Sequence, residues 1–293
     1  MLMKSMHYGH SILKCHPKMR RFIRAKRNGR YLINLPQTYR YLVHSLWYLF
    51  KYAYKKKKFL FVGTTLSSSE AVATAAIKAK SYFVNVRWLG GTLSNWLTIK
   101  KRIRKLRNLS IKASAINKKL LSPSLGNNVE SASKNEKILS KKQRLSKKEM
   151  TSRQKQFLRL EKYLTGIKRI RRLPQVVILA SQNNSLNTAL ECQKLGVRLF
   201  SLVDTNCNPE LADFIVPTND DSASSVQYIL SNFSHVIQMG RTLKNMKKLF
   251  KKTIKKNNKK KKLSIRQQKF SNQKKNKRFF FENKKKFYFS PNK

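Results

Sequence analysis

Acidic residues are scarce in this 293-residue chain, which carries 12 Asp and Glu against 66 Lys and Arg. No acid precedes Glu70 and none lies between Asp221 and Glu282, whereas six fall in the window from Glu191 to Asp221. A formal net charge of +54 excludes a self-contained globular protein of ordinary charge balance, because so much like charge opposes compaction. The excess predicts a polyanionic partner, with nucleic acid first, and one face that differs electrostatically from the rest.

Cysteines and long apolar runs are also few. Cys15, Cys192 and Cys207 are widely spaced and form no C-x-x-C pair, which argues against a disulfide framework and indicates a reducing compartment. The apolar stretch from Tyr41 to Tyr54 is interrupted by polar residues and falls short of the about 18 residues that a membrane helix needs. We therefore expect no membrane segment.

Short apolar runs alternate with helical patterns along most of the chain. The predicted strands are Tyr31–Asn34, Phe59–Gly63, Tyr82–Asn85, Val176–Leu179, Arg198–Val203 and Phe214–Val216. Helices are predicted over residues 37–54, 71–79, 185–194 and 220–233, the second of them opened by a capping box at Ser67-x-x-Glu70. This alternation is typical of an α/β fold with a doubly wound parallel sheet.

Two departures from the alternation give the predicted domain boundaries. Basic helical stretches flank a polar segment, so residues 99–165 are predicted to form an inserted helical hairpin with a flexible tip at about 111–142. Residues 239–293 are rich in Lys, Asn and Phe and are predicted to form a basic tail, disordered or ordered on RNA. Residues 1–98 and 166–238 then form the two parts of one α/β domain.

The segment N-V-R-W-L-G-G-T-L-S-N-W, residues 85–96, is the most specific local pattern. Gly90 and Gly91 permit a positive φ angle or a close backbone approach, and Asn95 is among the residues that can cap the following helix. This loop and the turn at residues 63–65 invite a phosphate-binding interpretation, but neither matches a known Gly-rich phosphate motif. Glycines of tight turns explain both without a ligand.

Metal-ligating side chains cluster near the N-terminus, at His7, His10, Cys15 and His16. The spacing H-x-x-H-x-x-x-x-C-H is not a common closed zinc pattern, and adjacent Cys15 and His16 would project in different directions. Packing or RNA contact is the interpretation we favour for these residues. We expect no metal and no cofactor.

Asp204 and the Asp220-Asp221 pair are the carboxylates grouped near predicted strand ends, where an α/β enzyme would place its chemistry. No nucleophile with a paired base accompanies them, since Cys207 and His235 could be brought together only by assumption. Turn formation around Asp204 and helix capping by Asp220 are the structural alternatives. We predict no catalytic residue.

Basic residues cluster in an N-terminal segment and on the first hairpin helix. Such groups contact phosphates without reading sequence, and aromatic neighbours can stack on exposed bases. The candidates for RNA contact are Lys18, Arg20, Arg21, Arg24, Lys26, Arg27, Arg30, Arg87, Lys100, Lys101, Arg102, Arg104 and Lys105. For each residue taken alone, a solvated surface position is the alternative.

Ordered motifs across residues 7–235 resemble the bacterial-type ribosomal protein S2 family. They include H-Y-G-H at 7–10, F-V-G-T at 61–64, R-W-L-G-G-T-L-S-N-W at 87–96, V-D-T-N-C-N-P at 203–209 and P-T-N-D-D at 217–221. The resemblance implies structural roles for Gly9, His10, Gly63, Trp88, Gly90, Gly91, Asn95, Asp204, Asn206, Pro209, Asn219, Asp220 and Asp221. It further implies a flavodoxin-like three-layer domain with an inserted coiled-coil hairpin.

The resemblance also implies a non-enzymatic structural role in the small ribosomal subunit. The implied partners are small-subunit ribosomal RNA at the junction of head and body and neighbouring ribosomal proteins, with no membrane and no small-molecule substrate. A nucleotide-binding α/β enzyme with a basic RNA-binding tail is the competing hypothesis. The family motif begins at His7, which leaves no room for a transit peptide, and a composition heavy in Lys, Asn, Phe and Tyr indicates an AT-rich organellar genome. We expect a chloroplast ribosome, with the mitochondrion second.

Overall fold

The computed structural model describes residues 1–121 and 147–254. The chain divides into two units, Met1–Gly240 and Arg241–Lys293. The strands of the first unit are β1 Tyr8–Ser11, β2 Ile23–Arg27, β3 Arg30–Ile33, β4 Phe59–Val62, β5 Tyr82–Val84, β6 Val176–Leu179, β7 Arg198–Val203 and β8 Phe214–Pro217. Its helices are α1 Leu35–Tyr54, α2 Leu66–Lys78, α3 Trp96–Leu121, α4 Lys147–Leu164, α5 Leu186–Leu195 and α6, residues 223–240.

A five-stranded sheet in the order β5-β4-β6-β7-β8 forms the centre of the first unit, and every neighbouring pair is parallel. This is the strand order of flavodoxin-like doubly wound sheets, in which the chain reverses direction across the sheet between the first and third strands. Both faces of the sheet are buried, which explains why its strands read as continuous apolar runs. The predicted fold class is confirmed.

Two apolar cores lie on opposite faces of this sheet. In β4, Phe59 and Phe61 belong to one core and Leu60 and Val62 to the other, because successive side chains of a strand point to opposite faces. The first core is completed by residues of α1, α2 and α6, and the second by residues of α3, α4 and α5. Helices therefore cover both faces in a three-layer arrangement.

A separate antiparallel sheet, in the order β1-β3-β2, lies near the N-terminus. The strand predicted at Tyr31–Asn34 is present as β3, but sequence reasoning missed both of its partners. Asn28 and Gly29 join β2 to β3 with φ angles of 48° and 70°. Asn-Gly between two strands is the strongest short-range hairpin signal, so the sequence did contain the information.

Two predicted helix caps are wrong. Helix α2 begins at Leu66 with Thr65 as its N-cap, so the expected capping box at Ser67 lies inside the helix. Helix α6 begins at residue 223. In the turn before it, Asn219 Oδ1 accepts hydrogen bonds from the backbone N–H groups of Asp221 and Ser222. Asp220 is buried instead of capping, because the Asn219 side chain already occupies the turn before the helix.

The two basic helices predicted around the insertion are present as α3 and α4, which pack together through their apolar residues. Helix α3 continues to Leu121, beyond residue 111 where the predicted tip begins. The rest of that predicted tip, from residue 122, lies outside the described residues. The division of the chain at residues 99, 165 and 238 stays a prediction.

In the second unit, residues 241–254 are helical. The sequence predicted a tail that is disordered or ordered on RNA, and this stays a prediction. The remainder of the predicted tail, 255–293, lies outside the described residues. None of the helices described is both long and apolar enough to cross a membrane.

Candidate nucleic-acid interface

A groove of about 500 Å³ lies between α3 and α4 and is lined largely by cations. Its residues are Lys101, Arg104, Lys105, Asn108, Leu109, Arg153 and Gln156. The helical period explains the arrangement, because Ile99, Ile103 and Leu106 are buried and direct the intervening residues outward. Across the described chain, none of the four lining cations forms an ion pair. The groove is therefore a candidate site for polyanion phosphates.

The groove unites three of the predicted RNA-contact residues, Lys101, Arg104 and Lys105, with one that sequence reasoning missed. Arg153 lies on α4, some fifty positions along the chain, so only the pairing of the two helices brings it into the groove. Lys100 and Arg102, also predicted, are exposed on α3. The helical pattern of α4 was the available signal for Arg153.

Six N-terminal cations form a second basic surface. Arg20, Arg21, Arg24, Lys26, Arg27 and Arg30 are all exposed, on β2, β3 and the short 3-10 helix before them. The Arg21 guanidinium lies 4.8 Å from the ring centre of Phe22, and the Lys26 ammonium lies 5.5 Å from that of Tyr31. These exposed cations stay candidates for phosphate contact.

Two other cations, Lys18 and Arg107, bind groups of the protein through an ion pair or hydrogen bonds. Lys18, a predicted RNA contact, pairs with Glu210, and this ion pair lowers the pKa of the Glu210 carboxyl. Arg107 is half-buried, and its Nε donates to the Lys168 carbonyl at 2.8 Å while Nη2 donates to the Ile170 carbonyl at 3.4 Å. Arg107 therefore fastens the base of α3 to the segment after α4.

The buried carboxylate of Glu191 stabilises the loop at residues 87–96 through hydrogen bonds. Sequence reasoning did not connect Glu191 with this loop. Glu191 Oε1 accepts hydrogen bonds from Trp88 Nε1 at 3.0 Å and from the Gly91 N–H at 2.8 Å. Its Oε2 accepts from the N–H groups of Leu93 at 2.8 Å and Ser94 at 3.2 Å. Burial alone would raise the pKa of Glu191, but these hydrogen bonds together lower it.

The paired glycines of this loop have different requirements. Gly91 has a φ of 80°, so its conformation disfavours other residues, whereas Gly90 is exposed, has no positive φ and has open space where a Cβ would lie. Gly90 therefore shows neither the positive φ nor the close backbone approach that the sequence suggested, and its structural role in the motif stays a prediction. Asn95 Oδ1 accepts a hydrogen bond from the Thr98 N–H at 3.4 Å, as an N-cap does for a helix starting at residue 96.

The two tryptophans of the loop lie against the apolar core, whereas its arginine lies at the surface. Trp88 is buried, and Trp96 is half-buried against the same apolar core. Both are packing residues, as the sequence indicated. Arg87 is exposed and stays a candidate for RNA contact.

A second polar site lies at the carboxyl edge of the sheet, where β7 and β8 end. His10 Nδ1 lies 3.1 Å from Asp204 Oδ2, and His10 Nε2 lies 3.4 Å from Asp221 Oδ2. Burial and the nearby charge of Asp204 raise the pKa of Asp220 to about 7, although Ser181 hydrogen-bonds to it. The structure thus brings together the carboxylates that the sequence grouped near strand ends.

Neighbouring motif residues fix the backbone around this site. Gly9 lies so close to Thr205 that a Cβ would sit 2.5 Å from its Cγ2, and the His10 N–H donates to Thr205 Oγ1 at 2.9 Å. Asn219 Nδ2 donates to the Ser5 carbonyl at 3.1 Å. The N-terminal residues are therefore tied to the ends of β7 and β8.

The other two motif residues here occupy the turn after β7. Asn206 Oδ1 accepts from Cys207 Sγ at 3.2 Å, and Pro209 is buried at the start of a short 3-10 helix. Both serve the turn, which fits the structural alternative that the sequence offered for Asp204 and its successors.

The acids of the window 191–221 lie at separate sites: Asp204, Asp220 and Asp221 lie near His10, and the other three lie elsewhere. Glu191 binds the loop, Glu210 binds Lys18, and Asp213 accepts from Arg198 Nη1 at 2.7 Å. Each of these three carboxylates therefore binds a neighbouring group of the protein.

The turn after β4 is filled by protein atoms. A Cβ on Gly63 would lie 2.7 Å from both Ser68 Oγ and Val72 Cγ2, and Thr64 shares a hydrogen bond with Ser185 at 3.2 Å. Burial raises the pKa of Cys207 to about 12, so its thiol is not an activated nucleophile. These contacts favour turn packing over a phosphate cradle or a catalytic cysteine.

Comparison with known proteins identifies relatives along most of the chain. A family model described as Ribosomal protein S2 matches residues 1–240. Small ribosomal subunit protein uS2c of Stigeoclonium helveticum is 46% identical over 256 residues, which cover 87% of this chain and 74% of the relative. The uS2c protein of Mesostigma viride is 40% identical over 83% of this chain and 96% of its own length. The uS2 protein of Synechococcus sp. (strain JA-3-3Ab) is 38% identical over 82% of this chain and 81% of its own length.

Proposed function

The chain belongs to the ribosomal protein S2 family of structural, non-enzymatic small-subunit proteins, and we propose that it binds small-subunit ribosomal RNA where the head meets the body. As a ribosomal component it associates with ribosomal RNA and with other ribosomal proteins. The RNA-contacting surfaces in this proposal are the groove between α3 and α4 and the N-terminal basic surface.

Some cations of the protein are paired with acids, whereas those of the groove between α3 and α4 are not paired within the described residues, and this contrast supports the proposal. Lys18 and Arg198 each form an ion pair with an acid, Glu210 and Asp213 respectively. The groove cations have no such partner and face an open channel. In a chain with a formal charge of +54, unpaired cations gathered in a groove favour phosphate as their partner.

We further propose that different parts of the chain have different roles in RNA binding. Residues 1–98 and 166–238 form the α/β platform, residues 99–165 form a projecting RNA-binding arm, and residues 239–293 add a basic tail. The platform orients the arm because Arg107 and the core residues of α3 fasten the helix at its base. The tail adds electrostatic attraction without fixing the position of the protein.

We place the protein in the plastid ribosome. Two of the relatives described above carry the name uS2c, the chloroplast form, and a third comes from a cyanobacterium. These relatives lend no support to the mitochondrion, the second choice from composition.

Co-sedimentation with small ribosomal subunits tests the proposal. We expect the full chain to sediment with purified plastid small subunits, and to be released as salt rises, because counterions compete for the phosphates. A chain ending at Gly240 should bind more weakly yet still be incorporated. Recovery of the full chain mainly apart from small subunits at low salt would contradict the proposal, and loss of all binding on truncation would assign it to the tail alone.

A further inference from the structure

The helix at residues 241–254, which we call the tail helix, has an exposed apolar side. Its apolar residues recur at helical spacing, which places them on one side of the helix: Leu243, Met246, Leu249, Phe250 and Ile254. These five side chains are between 43% and 74% exposed. In a globular domain such a stripe faces the core, so the tail helix presents an apolar surface that suits a partner.

Cations occupy the other side of the tail helix. Residues 241–254 contain no acid and six cations, namely Arg241, Lys244, Lys247, Lys248, Lys251 and Lys252. At about 100° per residue, Lys248 lies opposite Phe250, Lys252 lies opposite Leu243, and Lys247 borders the apolar side. A partner that covers this helix must therefore combine an apolar phase with negative charge.

Three kinds of partner match only one side of the tail helix. RNA phosphates would bind the lysines but leave the five apolar side chains in water. A second copy of the chain would bring six cations against six of the same sign. A protein groove takes a helix by its apolar anchors and leaves the opposite side in solvent, where an excess of cations adds nothing.

An anionic lipid surface matches both sides. Helices with Lys on the polar face and Phe or Leu on the other lie in the plane of the membrane interface, with the apolar face at the boundary of head groups and acyl chains. A Lys stem such as that of Lys247 can follow the apolar boundary while its ammonium group stays among the anionic head groups. The helix is about 21 Å long and does not qualify as a membrane span, which fits a helix that lies on the bilayer.

We propose that the tail helix binds the surface of an anionic lipid bilayer, with its apolar side against the acyl chains and its cations at the head groups. Through this helix the protein would hold a small ribosomal subunit at a membrane surface. The tail helix lies beyond residues 1–240, which the S2 family model matches. The proposal revises our sequence-based expectation of no membrane partner, and it does not depend on RNA binding by the groove.

Co-sedimentation of the full chain with vesicles provides the first test. The vesicles contain equal parts of phosphatidylcholine and phosphatidylglycerol, in about 0.5 M salt, where screening weakens the attraction of the rest of this cationic chain. We expect the triple variant Leu243→Ala, Met246→Ala, Phe250→Ala to bind roughly tenfold more weakly or less than that, because less apolar surface enters the bilayer. Alanine favours helix, so the helix itself is retained.

The matched control removes three exposed apolar side chains from other helices. Leu66 and Ile77 on α2 and Leu97 on α3 are 97%, 67% and 73% exposed. Changing all three to Ala should leave vesicle binding unchanged within about twofold, since these residues do not belong to the basic amphipathic helix. Equal binding by the tail variant and the unaltered chain would overturn the proposal, and so would equal losses in the two triple variants.

Quenching by lipids brominated on their acyl chains tests the orientation of the helix. We expect a tryptophan introduced by Phe250→Trp to be quenched beyond the level of the unaltered chain, whose own tryptophans supply the background. The opposite side of the helix provides the control, Lys248→Trp, which should add little quenching. Equal quenching in the two variants would overturn the proposed orientation and with it the proposal.

Flotation of assembled small subunits with the same vesicles tests the proposal in the ribosome. We expect subunits that carry the unaltered chain to float with anionic vesicles, and those that carry the tail variant to float at least several-fold less. If subunits with the unaltered chain do not float, RNA or a neighbouring protein covers the tail helix on assembly, and the proposal is overturned. Because incorporation is measured separately by co-sedimentation with small subunits, this result would leave the proposed ribosomal RNA binding intact.

Discussion

The α/β platform and the helical hairpin use charge in opposite ways. In the platform, most of the described carboxylates bind groups of the protein itself, as when Glu191 accepts four hydrogen bonds from the loop at residues 87–96. In the hairpin, the groove between α3 and α4 gathers four cations for which the described residues provide no ion-pair partner. Charge that is satisfied inside the protein supports the fold, and charge left unsatisfied is available for a partner.

Removing the Glu191 charge should produce the largest loss of stability. Glu191→Gln replaces an oxygen acceptor with an amide N–H that faces the N–H groups of Leu93 and Ser94. We expect the free energy of unfolding to fall by about 3 kcal/mol, since buried donors lose their acceptor. Urea denaturation followed by circular dichroism measures the change. Glu70→Gln, at an exposed position, is the matched control and should change little; equal losses in both variants would refute the role of Glu191.

Acid should weaken the same contact. The folded-state pKa of Glu191 is lowered by its hydrogen bonds, so the stabilisation is present above the ordinary pKa of the carboxyl and is lost as pH falls through the lowered one. We expect the stability difference between the unaltered chain and Glu191→Gln to shrink between about pH 5 and pH 3. Denaturation midpoints at several pH values check this. A difference that stays constant would show that the charge of Glu191 is not involved.

Neutralising the groove should weaken RNA binding without unfolding the protein. In a variant with Lys101, Arg104 and Lys105 all changed to Gln, we expect affinity for small-subunit ribosomal RNA to fall by about 1 to 2 kcal/mol. The slope of log affinity against log salt should decrease by about three, one for each lost phosphate contact. Filter binding across a salt series measures both quantities.

The matched control for the groove variant removes the same charge from the platform. Lys55, Lys78 and Lys194 are exposed on or beside α1, α2 and α5. Changing all three to Gln should reduce the salt slope by less than one. Equal slopes for the two triple variants would show that net charge, and not the groove, determines binding.

Substitutions at the two glycines of the loop should have a smaller effect on stability than the change at Glu191, and the two positions should differ from each other. Gly91→Ala should cost about 1 kcal/mol of stability, because its φ of 80° disfavours a residue with a Cβ. Gly90→Ala should leave stability unchanged within a few tenths of a kcal/mol, since nothing lies near its added Cβ. Thermal unfolding of the two variants makes the comparison. A loss at Gly90 as large as that at Gly91 would contradict this account of the loop.

Sequence reasoning predicted the platform well because its signals are local. The five parallel strands and helix α1 of the platform follow from apolar runs and helical spacing, and so do the hairpin helices α3 and α4. The contact between Glu191 and Gly91 could not be predicted in this way, since 100 positions separate them and only the fold joins them. The same holds for His10 and Asp204, whereas the N-terminal hairpin was missed although Asn28 and Gly29 signalled it.

Lysine reactivity in the free and the assembled protein tests the central contrast most directly. Acetylation of the free chain and of intact small subunits, followed by mass spectrometry, reports how far each lysine is covered on assembly. We expect strong protection of Lys101 and Lys105 in the groove and much weaker protection of Lys78 and Lys194 on the platform. Groove lysines that stay as reactive in the small subunit as in the free chain would contradict it.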